Sequence, residues 1–320
     1  MHPRRSALHL AAIVTVLMAT TGCNGSRCKT PARSDGGLGQ EVCIPAGSFV
    51  MGHAPLPPVS PPAGGGCTAE PQNDWAPAHE VYLDSFYIDA YEVTWGRYRS
   101  CVAQGFCSTE AISSQPTGLA SLNSPDMAQR PAEHLRWADA LTFCLWEGKR
   151  LPTEAEWERA ARGPSDLDYP WGELQPPSPG EAPTAGESAE GVHGLFGNVG
   201  EWVDDWYDPG YYANAPPQSP PGPASSVRSF THNPAGGCFP WIIAHDERVV
   251  RGLSFQPLQG DAWYGKAPAW FRSHDRPGAQ GYRVRCARDD RAAGERPAGG
   301  QWTFRGLTWN PIPRMNRGGH

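Results

Sequence analysis

The sequence predicts a loop-rich globular fold of short helices and short strands, stitched by disulfides. Three observations carry that expectation. The 320 residues include 37 Gly and 34 Pro, roughly a fifth of the chain against about 12% in ordinary proteins, so turns are frequent and regular elements short. Thirteen Trp, ten Tyr and ten Phe supply the bulk for a core, while charged residues at 19% are too few for a self-repelling disordered chain. Nine cysteines suit a fold held partly by covalent bridges. At roughly 100–200 residues per domain the length allows one large domain or two small ones. The formal net charge of −6 argues against a dedicated nucleic-acid binder, which is normally basic.

The N-terminus reads as an export signal. His2, Arg4 and Arg5 make a basic start, and Ala7 to Ala19 form an apolar run broken only by His9 and Thr15. That run is shorter than the roughly 20 residues a helix needs to span a bilayer. It ends at Thr20-Thr21-Gly22-Cys23, which resembles a bacterial lipobox with Thr20 where Leu is usual. The resemblance implies that residues 1–22 are removed and that Cys23 is acylated, holding the mature chain to a lipid bilayer. Asn24 after it implies the outer membrane of the cell envelope. An ordinary cleaved signal with an incidental cysteine is the alternative. Residues 23–40 are small, polar and Gly-rich, a flexible tether.

With Cys23 set aside, eight cysteines remain: Cys28, Cys43, Cys67, Cys101, Cys107, Cys144, Cys238 and Cys286. An even count in an oxidising compartment predicts up to four disulfides. No CxxC pair occurs, which disfavours a zinc knuckle or a thioredoxin-type site. Cys101 and Cys107 are spaced to close a small loop around Gly105.

Along the chain, the globular region starts near Glu41, and 54–66 is a Pro/Gly loop. Val81 to Val93 reads as a strand, with Val81 and Leu83, then Phe86 and Ile88, at alternate positions and a break in register near Ser85. Thr94 is placed to cap a short helix with Trp95, Tyr98 and Val102 on one face. Trp137 to Trp146 sets Trp137, Leu141, Cys144 and Leu145 on one helical face. After a turn at 149–152, Thr153-Glu154-Ala155-Glu156 is a capping box opening a helix that carries Trp157, Ala160 and Ala161 and stops at Gly163-Pro164. Stretches 164–190 and 209–240 are loop-like, Gly281 to Cys286 reads as a strand, and 287–320 is a peripheral tail with six Arg against three acids. No internal repeat is visible.

Several blocks then stand in a familiar order: IPAGSFVMG at 44–52, DAYEVTWGRY at 89–98, RWADALTFCLWEGKRLPTEAEWERAARG at 136–163, YPWG at 169–172, GNVGEW at 197–202, and RGLSF with GYRVRC near the end. Together they resemble the sulfatase-modifying, formylglycine-generating enzyme domain, which also occurs in ergothioneine-synthesis enzymes. The resemblance spans 41–288 and leaves 289–320 as an extension. It implies a single α+β domain of little regular secondary structure, resembling the C-type-lectin-like scaffold. It also implies a disulfide between Cys144 and Cys286, with Cys286 two residues later than usual because GYRVRC replaces GFRC. A step of two keeps a strand residue on the same face. Trp137 and Trp157 are expected in the core, Arg150 and Glu156 as a pair across the turn, and Glu201-Trp202 as an anchor.

Chemistry is where this sequence departs from the pattern. Copper-dependent members of the family oxidise a substrate cysteine with O₂ and bind Cu(I) through two cysteines five apart, just after an RGGSF block. Soft thiolates suit Cu(I). Here, after Arg251-Gly252-Leu253-Ser254-Phe255, those positions fall on Pro257 and Ala262, and neither can ligate. The ten histidines show no i,i+4 pair and no His-x-Asp signature, so a non-heme iron site is not indicated. His245-Asp246-Glu247 reads as a solvated polar loop. The family's calcium site maps onto the carbonyls of Gly197 and Val199 and the side chain of Glu201. Gly194 stands where an Asn or Asp usually contributes, so a weak calcium site at most is expected.

The sequence therefore points to a lipid-anchored extracytoplasmic member of this family without the copper chemistry. Such a protein would bind a peptide, a glycan or an envelope protein in a cleft lined by Arg251, Ser254, Trp270 and Arg272. A metal-dependent oxidoreductase with an altered site is the alternative.

Overall fold

A computed structural model describes residues 39–55, 74–115, 117–165, 167–169, 187–195, 199–226, 246–252, 268–269 and 271–290, together with the backbone of strands 302–304 and 307–309. Cys23, Cys28, Cys67, Gly197, Cys238, His245, Ser254, Pro257, Ala262 and Trp270 lie outside the described residues.

Helices and strands are mixed and short. Strands β1 (Glu41–Ile44) and β2 (Gly47–Met51) open the fold, followed by β3 (His79–Leu83) and β4 (Phe86–Asp89). Then come five helices: α1 (Trp95–Ala103), α2 (Glu110–Ser113), α3 (Gly118–Asn123), α4 (Trp137–Trp146) and α5 (Glu154–Arg162). β5 (Glu201–Trp206), β6 (Arg248–Arg251), β7 (Ser273–Asp275) and β8 (Ala287–Asp289) complete the domain, and β9 (Trp302–Phe304) and β10 (Leu307–Trp309) follow. They assemble into four small sheets, β1-β4-β8, β2-β3, β5-β6-β7 and β9-β10, with every pair antiparallel.

The expected break near Ser85 is where the chain changes sheets. β3 pairs with β2 while β4 pairs with β1 and β8, so the alternating pattern is two strands. Thr94 caps α1 by accepting from the Arg97 N–H at 3.4 Å. α5 carries the full capping box: Glu156 N–H donates to Thr153 Oγ1 at 3.2 Å and Thr153 N–H donates to Glu156 Oε2 at 2.8 Å. The same Glu156 is forked by Arg150, both contacts at 2.6 Å, so the turn between α4 and α5 is fixed as expected. At its far end α5 stops at Gly163, whose φ of 70° is in the left-handed region.

Two expectations are corrected. On α4 the buried face is Asp139, Ala140, Phe143 and Cys144, one step round from the predicted stripe. Trp137 and Leu141 pack on the core only partly buried. The Gly281–Cys286 segment is extended without being a ladder strand. Its backbone bonds go to Leu135, Gly200, Trp202, Val93 and Asp89 in turn, five different partners that no single neighbouring strand provides. The ladder begins only at Ala287, so the first residues of the supposed tail form the third strand of a sheet.

Two apolar clusters make the core. One joins the β1–β4 region to α5 through Trp157, Ala160 and Ala161; the other joins α1 and α4 to Trp202, Val250 and Val284. Trp157 and Trp202 are fully buried, and burying an aromatic side chain of that size contributes on the order of 2–3 kcal/mol. The indole N–H groups are satisfied, Trp202 Nε1 donating to Leu135 O at 2.9 Å and Trp157 Nε1 to Glu201 Oε2 at 2.8 Å. Two disulfides close the described part, Cys101–Cys107 between the last turn of α1 and the loop that follows it, and Cys144–Cys286 between α4 and the segment before β8. Cys43 is also disulfide-bonded, to a partner outside the described residues.

Candidate functional site

The block that the resemblance marks as functional begins at the end of β6. Gly252 follows Arg251 with φ of 71°, and a Cβ there would sit 2.9 Å from the Trp157 ring and 3.0 Å from Leu195 O. Only glycine fits so close a pass over the α5 tryptophan. That pass turns Arg251 inward.

Arg251 and Arg272 do not line a cleft surface; both are wholly buried. Arg251 donates to Glu154 Oε1 at 2.8 Å, to Glu158 Oε2 at 2.7 Å and to Ala269 O at 2.6 Å. Arg272 forks onto Glu154 at 2.9 and 2.8 Å and caps the carbonyls of Asp74 and Asp208 at 3.2 and 3.1 Å. Arg162 closes the array on Glu158 at 2.7 Å, beside the Gly52 N–H at the same distance. Tyr207 and Tyr212 lie under Arg272, with ring centres 5.1 and 4.6 Å from the guanidinium. Three arginines against two carboxylates is a structural lattice that ties α5 and β6 to the residue before β7 and to the loops carrying Gly52, Asp74, Asp208 and Ala269. Burial works to raise the Glu158 carboxyl, but Arg251, Arg162 and the Gly52 N–H outweigh it and hold it below the ordinary value. Burial, with Glu154 and Glu158 beside it, pushes the Tyr212 hydroxyl well above its ordinary value.

Glu201, expected as a calcium ligand, is also committed elsewhere. Arg285 forks onto it at 2.7 and 2.6 Å, and Trp157 Nε1 takes one of the same oxygens. Three of the roughly four acceptor sites of this buried carboxylate are taken and its charge is already balanced by a guanidinium fork, which makes it a poor ligand for a hard cation that wants six to eight oxygens. Val199 lies two residues before it, partly buried. The residues present at Glu201 do not fit calcium. Glu92 is close by, bonded to Arg283 at 3.0 Å, and Arg283 also pairs with Glu133. Burial first and the Glu201 charge second push the Glu92 carboxyl up to about 7.

A third charged group surrounds the Cys144–Cys286 bridge. Asp89 receives Lys149 at 2.5 Å and Arg97 at 2.9 Å, and accepts the Cys286 N–H at 3.2 Å. Burial opposes it, yet the two cations hold the Asp89 carboxyl below its ordinary value. Asp89, Glu147 and Cys286 lie within ligand reach of one another. They do not make a metal site, because the sulfur is in a disulfide and both carboxylates pair with Arg97 and Lys149.

The same donor test applies to copper. Cys43, Cys101, Cys107, Cys144 and Cys286 are all disulfide-bonded, so no cysteine among the described residues offers the thiolate Cu(I) prefers. Asp246 and Glu247 of the polar cluster separate: Asp246 is exposed with φ of 83°, while Glu247 reaches back to His274 Nδ1 at 2.8 Å. His274 in turn stacks on Tyr207, with ring centres 3.7 Å apart. Sequence reasoning missed this Glu247–His274–Tyr207 group and the buried Asp89–Lys149–Arg97 group, since the partners are far apart in the chain.

Among the described residues, four antiparallel sheets of two or three strands with five short helices, stitched by buried ion pairs and disulfides, define an α+β fold of the formylglycine-generating, C-type-lectin-like class. A family profile described as "Sulfatase-modifying factor enzyme 1-like domain" matches residues 28–290, and the chain belongs to that family. It is 28% identical to the "Formylglycine-generating enzyme" of Streptomyces coelicolor, over 78% of this chain and 89% of the relative. It is 31% identical to "Serine/threonine-protein kinase pkn1" of Chlamydia pneumoniae, over 69% of this chain but only 36% of that protein's length. A mouse relative named "Inactive C-alpha-formylglycine-generating enzyme 2" is 29% identical over 52% of this chain and 69% of its own. Among solved structures, PvdO from Pseudomonas aeruginosa superposes with a TM-score of 0.50 at 22% identity, covering 78% of this chain and 94% of that one.

Proposed function

We propose that the protein is an extracytoplasmic, lipid-anchored member of the sulfatase-modifying family that has lost the copper oxidase chemistry and works as a binding module for a peptide, a glycan or an envelope protein. One observation carries the reading: Pro257 and Ala262 stand where the two Cu(I) sulfurs are expected, and a pyrrolidine ring and a methyl group supply no ligand. The disulfide state of Cys43, Cys101, Cys107, Cys144 and Cys286 supports it, since none of these is a substitute thiolate. Relatives at similar identity carry both active and inactive names, so resemblance alone favours neither.

With Arg251 and Arg272 in the buried lattice, the ligand side of this reading rests on Ser254 and Trp270, neighbours in sequence of the two buried arginines. Anchoring rests on Cys23, and the outer membrane on Asn24 after it. No helix among the described residues is long and apolar enough to cross a membrane.

The deciding experiment counts thiols in the mature protein under denaturing, non-reducing conditions and titrates Cu(I) anaerobically. No free thiol and no stoichiometric copper uptake is the expected result. Two free thiols, tight copper binding and O₂ consumption with a cysteine peptide would instead establish an oxidoreductase with a rebuilt site. Changing Cys23→Ser should abolish incorporation of labelled fatty acid into the protein if that cysteine carries the lipid.

A further inference from the structure

Along β3, Val81 and Leu83 are buried while Glu80, Tyr82 and Asp84 are exposed, Asp84 being the first residue past the strand. Side chains two apart share a face and stand about 7 Å from one another, so an aromatic side chain that is 39% exposed lies between two carboxylates. Ser48 of β2 stands opposite Tyr82, and Gln218 bridges it on the other side; both are exposed. The backbone beneath the ring is fixed, since Tyr82 N–H donates to Pro217 O at 2.8 Å and Ser219 N–H donates to Tyr82 O at 2.7 Å. With β2 along one edge and this segment along the other, β3 offers no edge at Tyr82 to a further strand. Whatever docks there must read side chains.

The state of pairing says what fits. Asp89, Glu147, Glu154, Glu158 and Glu201 are each paired with an arginine. The Glu80 and Asp84 carboxylates and the Tyr82 hydroxyl have no hydrogen bond or ion pair among the described residues. Two uncompensated negative charges beside a π face, on a protein of net charge −6, complement a cation. A guanidinium or ammonium over the ring gains from the ring quadrupole and from both carboxylates at once. A neutral partner would use the ring and gain nothing from the charges.

We propose that the Glu80–Tyr82–Asp84 face of β3 docks a basic segment of a partner peptide or protein, with an arginine or lysine side chain over Tyr82 between the two carboxylates. The inference rests on the binding-module reading and narrows its partner to a cationic polypeptide surface.

The test titrates fluorescently labelled oligoarginine against the mature protein and follows anisotropy at low and at physiological salt. Binding that weakens with salt is expected. Glu80→Gln with Asp84→Asn should weaken it about tenfold at low salt and flatten the salt dependence. Tyr82→Ala should weaken it about threefold, and Tyr82→Phe should retain it. As a control, Asp126→Asn with Asp246→Asn removes the same charge from two other exposed carboxylates and should leave binding within about twofold. Thermal midpoints should stay at the parent value throughout. No binding by the parent, equal loss from the two charge variants, or full binding by Tyr82→Ala overturns the proposal. So does a lower midpoint in the Glu80/Asp84 variant, because those carboxylates then have partners in the fold. Tyr82-dependent retention on dextran that the Glu80/Asp84 variant keeps would assign the face to a neutral glycan, and Tyr82-dependent dimerisation would assign it to a second copy of the chain; either overturns it as well. None of these outcomes alters the thiol count or the copper titration that tests the binding-module reading.

Discussion

Arg272 grips both carboxylate oxygens of Glu154, at 2.9 and 2.8 Å, across 118 residues of sequence and with both side chains out of water. The pair joins the first turn of α5 to the residue preceding β7, and Arg251 shares one of the same oxygens. Taking charges out of water is costly, so such a lattice adds less net stability than its contact list suggests. Breaking it is another matter, because the partner left behind stays buried and charged. Arg272→Ala should cost about 3–5 kcal/mol, read as a lower urea midpoint. Glu154→Gln should cost a similar amount. A loss under ~1 kcal/mol for both would show that Arg272 reaches water and return it to the cleft candidates.

The reason this lattice could not be read from sequence is distance along the chain. An arginine beside a Gly/Ser block looks like a ligand grip, and its partners Glu154 and Glu158 sit 97 and 93 residues away inside a helix whose glutamates look solvent-facing. Local features were legible. The caps at Thr94 and Thr153, the Arg150–Glu156 pair and the bounds of α4 and α5 are all set by residues within a turn or two. The Cys144–Cys286 bridge followed from the family resemblance, and the Cys101–Cys107 bridge from spacing. The Gly281–Cys286 segment misled for the opposite reason: its alternation is that of a strand, but its hydrogen bonds are shared out among five partners.

Glu92 makes stability pH-dependent in a direction unusual for a carboxylate. Burial, and then the neighbouring Glu201, raise it from 4.5 to about 7, so the folded state holds the proton more tightly than the unfolded chain. The sign follows from linkage: its contribution is fully present below 4.5 and is lost as pH rises through about 7. Asp89 and Glu158 are shifted down and act oppositely, losing their contribution only in stronger acid. Stability should therefore rise as pH falls from about 8 to about 5 and decline below that. Glu92→Gln should flatten the first limb and leave the second; chemical denaturation at a series of pH values checks this. An unchanged upper limb in Glu92→Gln would remove Glu92 as its cause.

The two described disulfides should differ in worth. The Cys144–Cys286 bridge closes a span of 142 residues and the Cys101–Cys107 bridge one of 6. Loop-closure entropy in the unfolded chain then predicts about 5 kcal/mol for the first and about 2 kcal/mol for the second, as upper values. Cys144→Ala with Cys286→Ala should accordingly lower the thermal midpoint more than Cys101→Ala with Cys107→Ala. The long bridge also sits on the Asp89–Lys149 group through the Cys286 N–H, so its removal should loosen that group and widen the gap. Equal losses from the two double variants would mean that native strain, not chain entropy, governs the larger bridge.

Calcium offers the sharpest check on Glu201. If this carboxylate were a ligand, added Ca²⁺ would stabilise the folded chain by mass action and a chelator would reverse it. The fork from Arg285 at 2.7 and 2.6 Å already neutralises the group and engages both oxygens, and the Trp157 indole takes a second site on Oε2. The wild-type thermal midpoint should thus be the same in calcium and in chelator. Glu201→Gln should lower it equally in both, by an amount equivalent to about 3–5 kcal/mol, because the Arg285 guanidinium stays buried without a counter-charge. A midpoint that rises with calcium in the wild type and not in Glu201→Gln would mean that the carboxylate leaves Arg285 for the ion, and that the ion pair is a resting arrangement displaced on binding.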